Sequence, residues 1–120
     1  MNSQIMVVDD DSDFRWTLET ILADEGRDVI SAKDGYQAIQ MVSESQVALI
    51  FMDIQMPGIN GVDALIEIKK ILPDCTVVIM TGHAVGSLIE KALSEGAKTV
   101  LHKPISIERL LNIVEEVVPA

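Results

Sequence analysis

Short apolar runs alternate with amphipathic stretches along the whole of this chain. Ile5–Val8, Val29–Ile30, Val47–Met52, Val77–Met80 and Val100–Leu101 are β-branched or Met-rich and lack a polar–apolar alternation. Such runs predict five strands covered on both faces, as in a parallel sheet. Between them the apolar spacing becomes helical. Phe14, Leu18, Ile21 and Leu22 share one face, and Gly26 stands where that helix should stop. Asp34 and Gln37 have capping-box spacing ahead of Ile39 and Val42, and Asn60 can cap a helix that buries Val62, Leu65 and Ile66. Ser87 and Glu90 repeat the box before Ala92 and Leu93, with Gly96 as the stop. Ile107, Leu110, Leu111, Val114, Val117 and Val118 form the most regular stripe. The expected class is α/β, a (βα)5 chain whose connections are long enough for right-handed crossovers. No linker or repeat divides it, so residues 1–120 are expected to form one domain.

Composition narrows the picture. Apolar residues make up 48% of the 120, but aromatics only 3%, so the core must be built from Ile, Leu, Val, Met and Ala. A formal net charge of −10 disfavours direct contact with nucleic acid or anionic lipid, because phosphate surfaces demand Lys and Arg. Cys75 is the sole cysteine, which fits a reducing cytoplasm. The N-terminus lacks a basic region, and no apolar run approaches the roughly 20 residues needed to span a bilayer. A cytoplasmic location away from the membrane is expected.

The candidate chemistry sits where the apolar runs end. Asp9, Asp10 and Asp11 follow the first, Asp53 ends the third, Thr81 and Gly82 end the fourth, and Lys103 follows the fifth. In an open parallel α/β sheet these ends converge on one crevice. Adjacent carboxylates repel unless a cation intervenes, and Mg²⁺ takes oxygen ligands of this kind. Each residue also has a plainer explanation. Asp11 and Asp13 suit the first turn of a helix, Asp53 can cap a loop, Thr81 can be a strand residue and Lys103 a surface lysine. The four positions together favour a phosphoryl and magnesium site over the separate explanations. Pro57, Gly58, Asn60 and Gly61 predict a tight turn that leaves Asp53 accessible.

The segments VVDDD, MDIQMPGINGVDAL, VVIMTGH and LHKP, in this order and spacing, resemble the receiver domain of bacterial response regulators. The resemblance runs from Ile5 to about Val118. It implies the flavodoxin-like strand order 2-1-3-4-5, which is that of the chemotaxis member of the family. It also implies that Asp53 is the phosphoacceptor of a two-component system, taking its phosphoryl group from a phosphohistidine of a sensor histidine kinase or histidine phosphotransfer protein. Asp9, Asp10, Asp53 and the Gln55 backbone carbonyl would hold Mg²⁺. Thr81, the Gly82 backbone and Lys103 would bind the phosphoryl group, with Thr81 as switch hydroxyl and Lys103-Pro104 a cis bond. Gln55 and His83 would tune the lifetime of the aspartyl phosphate. Such a domain catalyses only its own phosphorylation and dephosphorylation.

One position departs from the pattern. The family usually has Tyr or Phe three residues before the lysine, whereas this chain has Val100, with one dominant rotamer and no ring to relocate. The face made by helix 4, strand 5 and helix 5 is still the expected surface for a homodimer or an output domain. Two alternatives stand beside this reading. One is a small Mg²⁺-dependent phosphatase with Asp9 as nucleophile, although Ser12 and Asp13 depart from the start such enzymes need. The other is a receiver-shaped interaction module that is never phosphorylated.

Overall fold

In a computed structural model, which describes residues 3–82 and 86–120, strands and helices alternate from end to end. The strands are β1 (Gln4–Val8), β2 (Val29–Ala32), β3 (Val47–Asp53), β4 (Thr76–Thr81) and β5 (Thr99–His102). The helices are α1 (Ser12–Asp24), α2 (Gly35–Val42), α3 (Gly61–Ile71), α4 (Gly86–Ser94) and α5 (Ile107–Val117). All strand pairs are parallel, in the order β2-β1-β3-β4-β5. The order reverses direction at β1, and a crevice opens beyond the strand ends at such a reversal.

Both faces of the sheet are covered, which explains why the strands read as unbroken apolar runs. Successive strand residues face opposite sides. Met6, Val8, Ile50, Met52, Val77 and Ile79 meet Val42, Val62, Leu65, Ile68 and Ala92, from α2, α3 and α4. Ile5, Val7, Leu49, Phe51, Val78 and Met80 meet Leu18, Leu22, Leu110, Ile113 and Val114, from α1 and α5. Ile113 is buried although the stripe read from the sequence passes it over, and Ile107 at the head of that stripe is 39% exposed.

The caps follow local chemistry. Asp11 caps α1 by accepting from the Asp13 and Phe14 N–H groups, and Asn60 caps α3 by accepting from Asp63 N–H. Asp34 accepts from Gln37 N–H at 2.8 Å, but Gln37 Oε1 returns its bond to Lys33 N–H, one residue ahead of the cap. Ser106, not singled out from the sequence, caps α5 through Arg109 N–H. Ser87 stands inside the first turn of α4 rather than ahead of it, and Leu93 is 46% exposed. Gly26 and Gly96 end α1 and α4 with φ of 78° and 106°, the left-handed region that favours glycine. At the far side of the molecule Arg27 ties α1 to α5, donating to the Val118 carbonyl and pairing with Glu115 at 2.9 Å.

Candidate phosphoryl and metal site

Register brings the site together. Val8 pairs with Met52, so the next residues, Asp9 and Asp53, stand side by side at the edge of the sheet. On β4, Thr81 pairs with His102, and Lys103 N–H then donates to the Thr81 carbonyl at 2.8 Å. Asp9, Asp10, Asp53, Thr81 and Lys103 therefore all stand at the C-terminal edges of strands, as the apolar pattern predicts.

Asp9, Asp10 and Asp53 each offer an oxygen within 4.8 Å of the others. Asp9 is 1% exposed and both of its oxygens are engaged: Oδ1 accepts from Asp11 N–H at 2.9 Å, and Oδ2 from Lys103 Nζ at 2.7 Å. Asp53 accepts from Gln55 N–H at 3.3 Å on Oδ1, while its Oδ2 faces Lys103 Nζ at 3.7 Å. Burial pushes the Asp53 carboxyl above its ordinary value. Lys103 pulls it down, Asp9 pushes it up, the Gln55 N–H lowers it and Asp10 raises it again. A cluster of hard oxygens short of positive charge fits a hard divalent cation, which would relieve this repulsion.

The turn after β3 does not leave Asp53 open, as the sequence suggested. Asp53 is only 7% exposed. The turn closes near the strand end, where Gly61 N–H donates to the Ile54 carbonyl at 2.9 Å. A Cβ on Gly61 would lie 2.4 Å from the Asp53 carbonyl oxygen and 2.8 Å from Ile54 Cα. Glycine lets α3 start directly against the end of β3. At Gly82, among the described residues, a Cβ would meet Lys103 Cδ at an ordinary 3.9 Å. Thr81 is buried, Gln55 is exposed, and Lys103-Pro104 is cis, as the resemblance implied. His83 lies outside the described residues. Val100 pairs with Ile79 and is half-buried against the core beneath α2, α3 and α4.

Two residues of α1 join the site without having been singled out for it. Arg15 Nη1 donates to the Asp9 carbonyl at 2.6 Å, and the Phe14 ring lies under Lys103, with Nζ 4.3 Å from its centroid. Phe14 was legible as a core-facing position of α1. Its contact with a lysine at the other end of the chain has no local signal.

Known proteins place this arrangement in a family. A model of the response regulator receiver domain matches residues 5–115. Sporulation initiation phosphotransferase F of Bacillus subtilis is 30% identical over 119 residues, covering 99% of this chain and 96% of that protein. The DNA-binding transcriptional regulator NtrC of Escherichia coli K12 is 33% identical over 114 residues, but the match covers only 24% of that longer protein. A CheY-like receiver domain protein from Methanospirillum hungatei superposes with a TM-score of 0.92 at 26% identity, over 97% of this chain and 93% of the other. Sequence, topology and the acidic crevice at the strand reversal agree, and the chain belongs to the receiver domain family of response regulators, the phosphoacceptor modules of two-component signalling.

Proposed function

We propose that Asp53 is the acceptor carboxylate, and that residues 1–120 act as one cytoplasmic receiver unit. The observation that carries this is the pairing of three carboxylates within 4.8 Å with one ammonium shared between Asp9 and Asp53. In the transfer, an Asp53 oxygen attacks phosphorus in line. The bond from phosphorus to the donor imidazole nitrogen breaks, and its electron pair leaves with the imidazole. The donor is a phosphohistidine of a sensor kinase or phosphotransfer protein.

Asp9, Asp10, Asp53 and the Gln55 carbonyl would hold Mg²⁺, which supplies positive charge against the phosphoryl oxygens. Lys103 neutralises a further oxygen, and the Thr81 hydroxyl and Gly82 N–H donate to the same group. By the resemblance, Gln55 and His83 would tune the lifetime of the acyl phosphate. The engaged oxygens of Asp9 favour Asp53 over Asp9 as nucleophile. Signalling contacts belong to the face of α4, β5 and α5, whose helices carry the exposed Leu93 and Ile107. With Val100 on β5, loop and α4 shifts rather than an aromatic swing carry the change outward, to a second copy or an output domain. The acidic balance of the chain argues that nucleic acid is not contacted directly.

Intact mass after incubation with Mg²⁺ and acetyl phosphate tests this reading. Wild type should gain one phosphoryl group and Asp53→Asn none. Label that survives in Asp53→Asn but disappears in Asp9→Asn would point to the phosphatase alternative. An unlabelled wild type would point to a module that is never phosphorylated.

A further inference from the structure

We infer that Phe14 is a positioning residue of the phosphoryl site, its ring face holding the Lys103 ammonium between the Asp9 and Asp53 carboxylates. This role rests on the reading of Asp53 as acceptor and Lys103 as its counter-charge.

Three contacts define where the ammonium sits: Asp9 Oδ2 at 2.7 Å, Asp53 Oδ2 at 3.7 Å and the Phe14 centroid at 4.3 Å. A lysine carries its charge on a four-carbon stem with many rotamers, so two carboxylates on one side do not determine its place. The ring closes the other side. An aromatic face attracts a cation electrostatically, and more strongly where water is excluded. Both conditions for a firm contact are met. Phe14 is half-buried and packs against the core shared by Leu18, Leu22 and Leu110, and the Lys103 side chain is only 24% exposed.

The consequence appears when the charge of Asp9 is taken up by a cation. The 2.7 Å bond then loses strength, and the ring is the contact of Lys103 that no added charge at Asp9 competes for. The ammonium stays poised at Asp53 instead of swinging into water. Phe14 thus acts on the geometry of transfer through Lys103, without touching the phosphoryl group.

The test reads Lys103 directly and then the transfer. In NMR spectra of the metal-free protein, the Lys103 ε-methylene protons should lie upfield of those of the other lysines through the ring current of Phe14. Phe14→Leu should abolish that shift and Phe14→Tyr keep it. With Mg²⁺ and acetyl phosphate, Phe14→Leu should slow labelling about three- to ten-fold, while Phe14→Tyr stays within about two-fold of wild type. Trp16→Leu, an exposed change on the same helix, should alter neither readout. Lys103 protons in wild type that resemble those of surface lysines would overturn the role, as would wild-type labelling in Phe14→Leu. A wild type with the ring shift present but no label would overturn the Asp53 reading, and this role with it.

Discussion

Lys103 Nζ donates to Asp9 Oδ2 at 2.7 Å, and so ties the end of β5 to the end of β1 across the ends of β4 and β3. Asp53 stands along that path at 3.7 Å. The lysine is thus bound more closely to the buried Asp9 carboxylate than to Asp53. Removing it leaves Asp9, 1% exposed, without its counter-charge. Lys103→Ala should destabilise the metal-free protein by about 2 kcal/mol, below the range for fully buried pairs because Lys103 keeps some solvent contact. In an Asp9→Asn background the same change should cost much less. Urea unfolding of the four proteins measures the coupling. Strictly additive effects would show that the pair is not the cause.

Asp53 titrates above its ordinary value of 3.8 because burial disfavours its charged form. Its folded state therefore holds the proton more firmly than the unfolded state does. Below 3.8 both states are protonated and the group adds nothing. As pH rises through the interval above that value the folded protein loses stability, and the penalty persists at neutral pH. Asp53→Asn should then stabilise the metal-free protein at pH 7 by on the order of 1 kcal/mol, with the gain vanishing at strongly acid pH. Thermal unfolding of both proteins across pH checks the sign. A variant less stable than wild type at pH 7 would contradict it.

The same crowding of carboxylates would be relieved by a bound divalent cation. Mg²⁺ at one hundred times its dissociation constant should stabilise wild type by roughly 2.7 kcal/mol through binding to the folded state alone. Asp10 is exposed and makes little of the fold, so Asp10→Asn should leave the metal-free Tm close to wild type while weakening the Mg²⁺-induced rise. Calorimetric scans with and without Mg²⁺ separate the two effects. An undiminished rise in Asp10→Asn would remove Asp10 from the ligand set.

Gly61 lets α3 start against the backbone of Asp53 and Ile54. Gly61→Ala places a methyl group 2.4 Å from the Asp53 carbonyl oxygen, a contact that backbone atoms can relieve only by moving. A loss of roughly 1–3 kcal/mol is expected, together with slower labelling of Asp53 by acetyl phosphate. Gly82→Ala, whose Cβ meets Lys103 Cδ at an ordinary 3.9 Å among the described residues, should cost clearly less stability. Equal losses at the two positions would argue against the steric account.

Much of the architecture is legible in the chain because its causes are local. The apolar runs at Val47–Met52 and Val77–Met80 are too short for helices and too apolar for a sheet with one wet face. Asn60, Asp34 and Gly26 act on neighbours within a few residues. The burial of Ile113 and the exposure of Leu93 escaped that reading, because a stripe on a helix says which residues align and not how far the neighbouring sheet reaches.

The site divides in the same way. That Asp9, Asp53, Thr81 and Lys103 stand at strand ends follows from sequence periodicity, and their convergence follows from parallel topology. Their relations to one another do not. The preference of Lys103 for Asp9 and the contact of Phe14 with Lys103 depend on distances between elements far apart in the chain. Periodicity carries no information at that range. Which residues can do chemistry was written locally, in residue type and spacing. How buried Asp53 is, and which carboxylate holds the lysine, was decided only when the strands packed side by side.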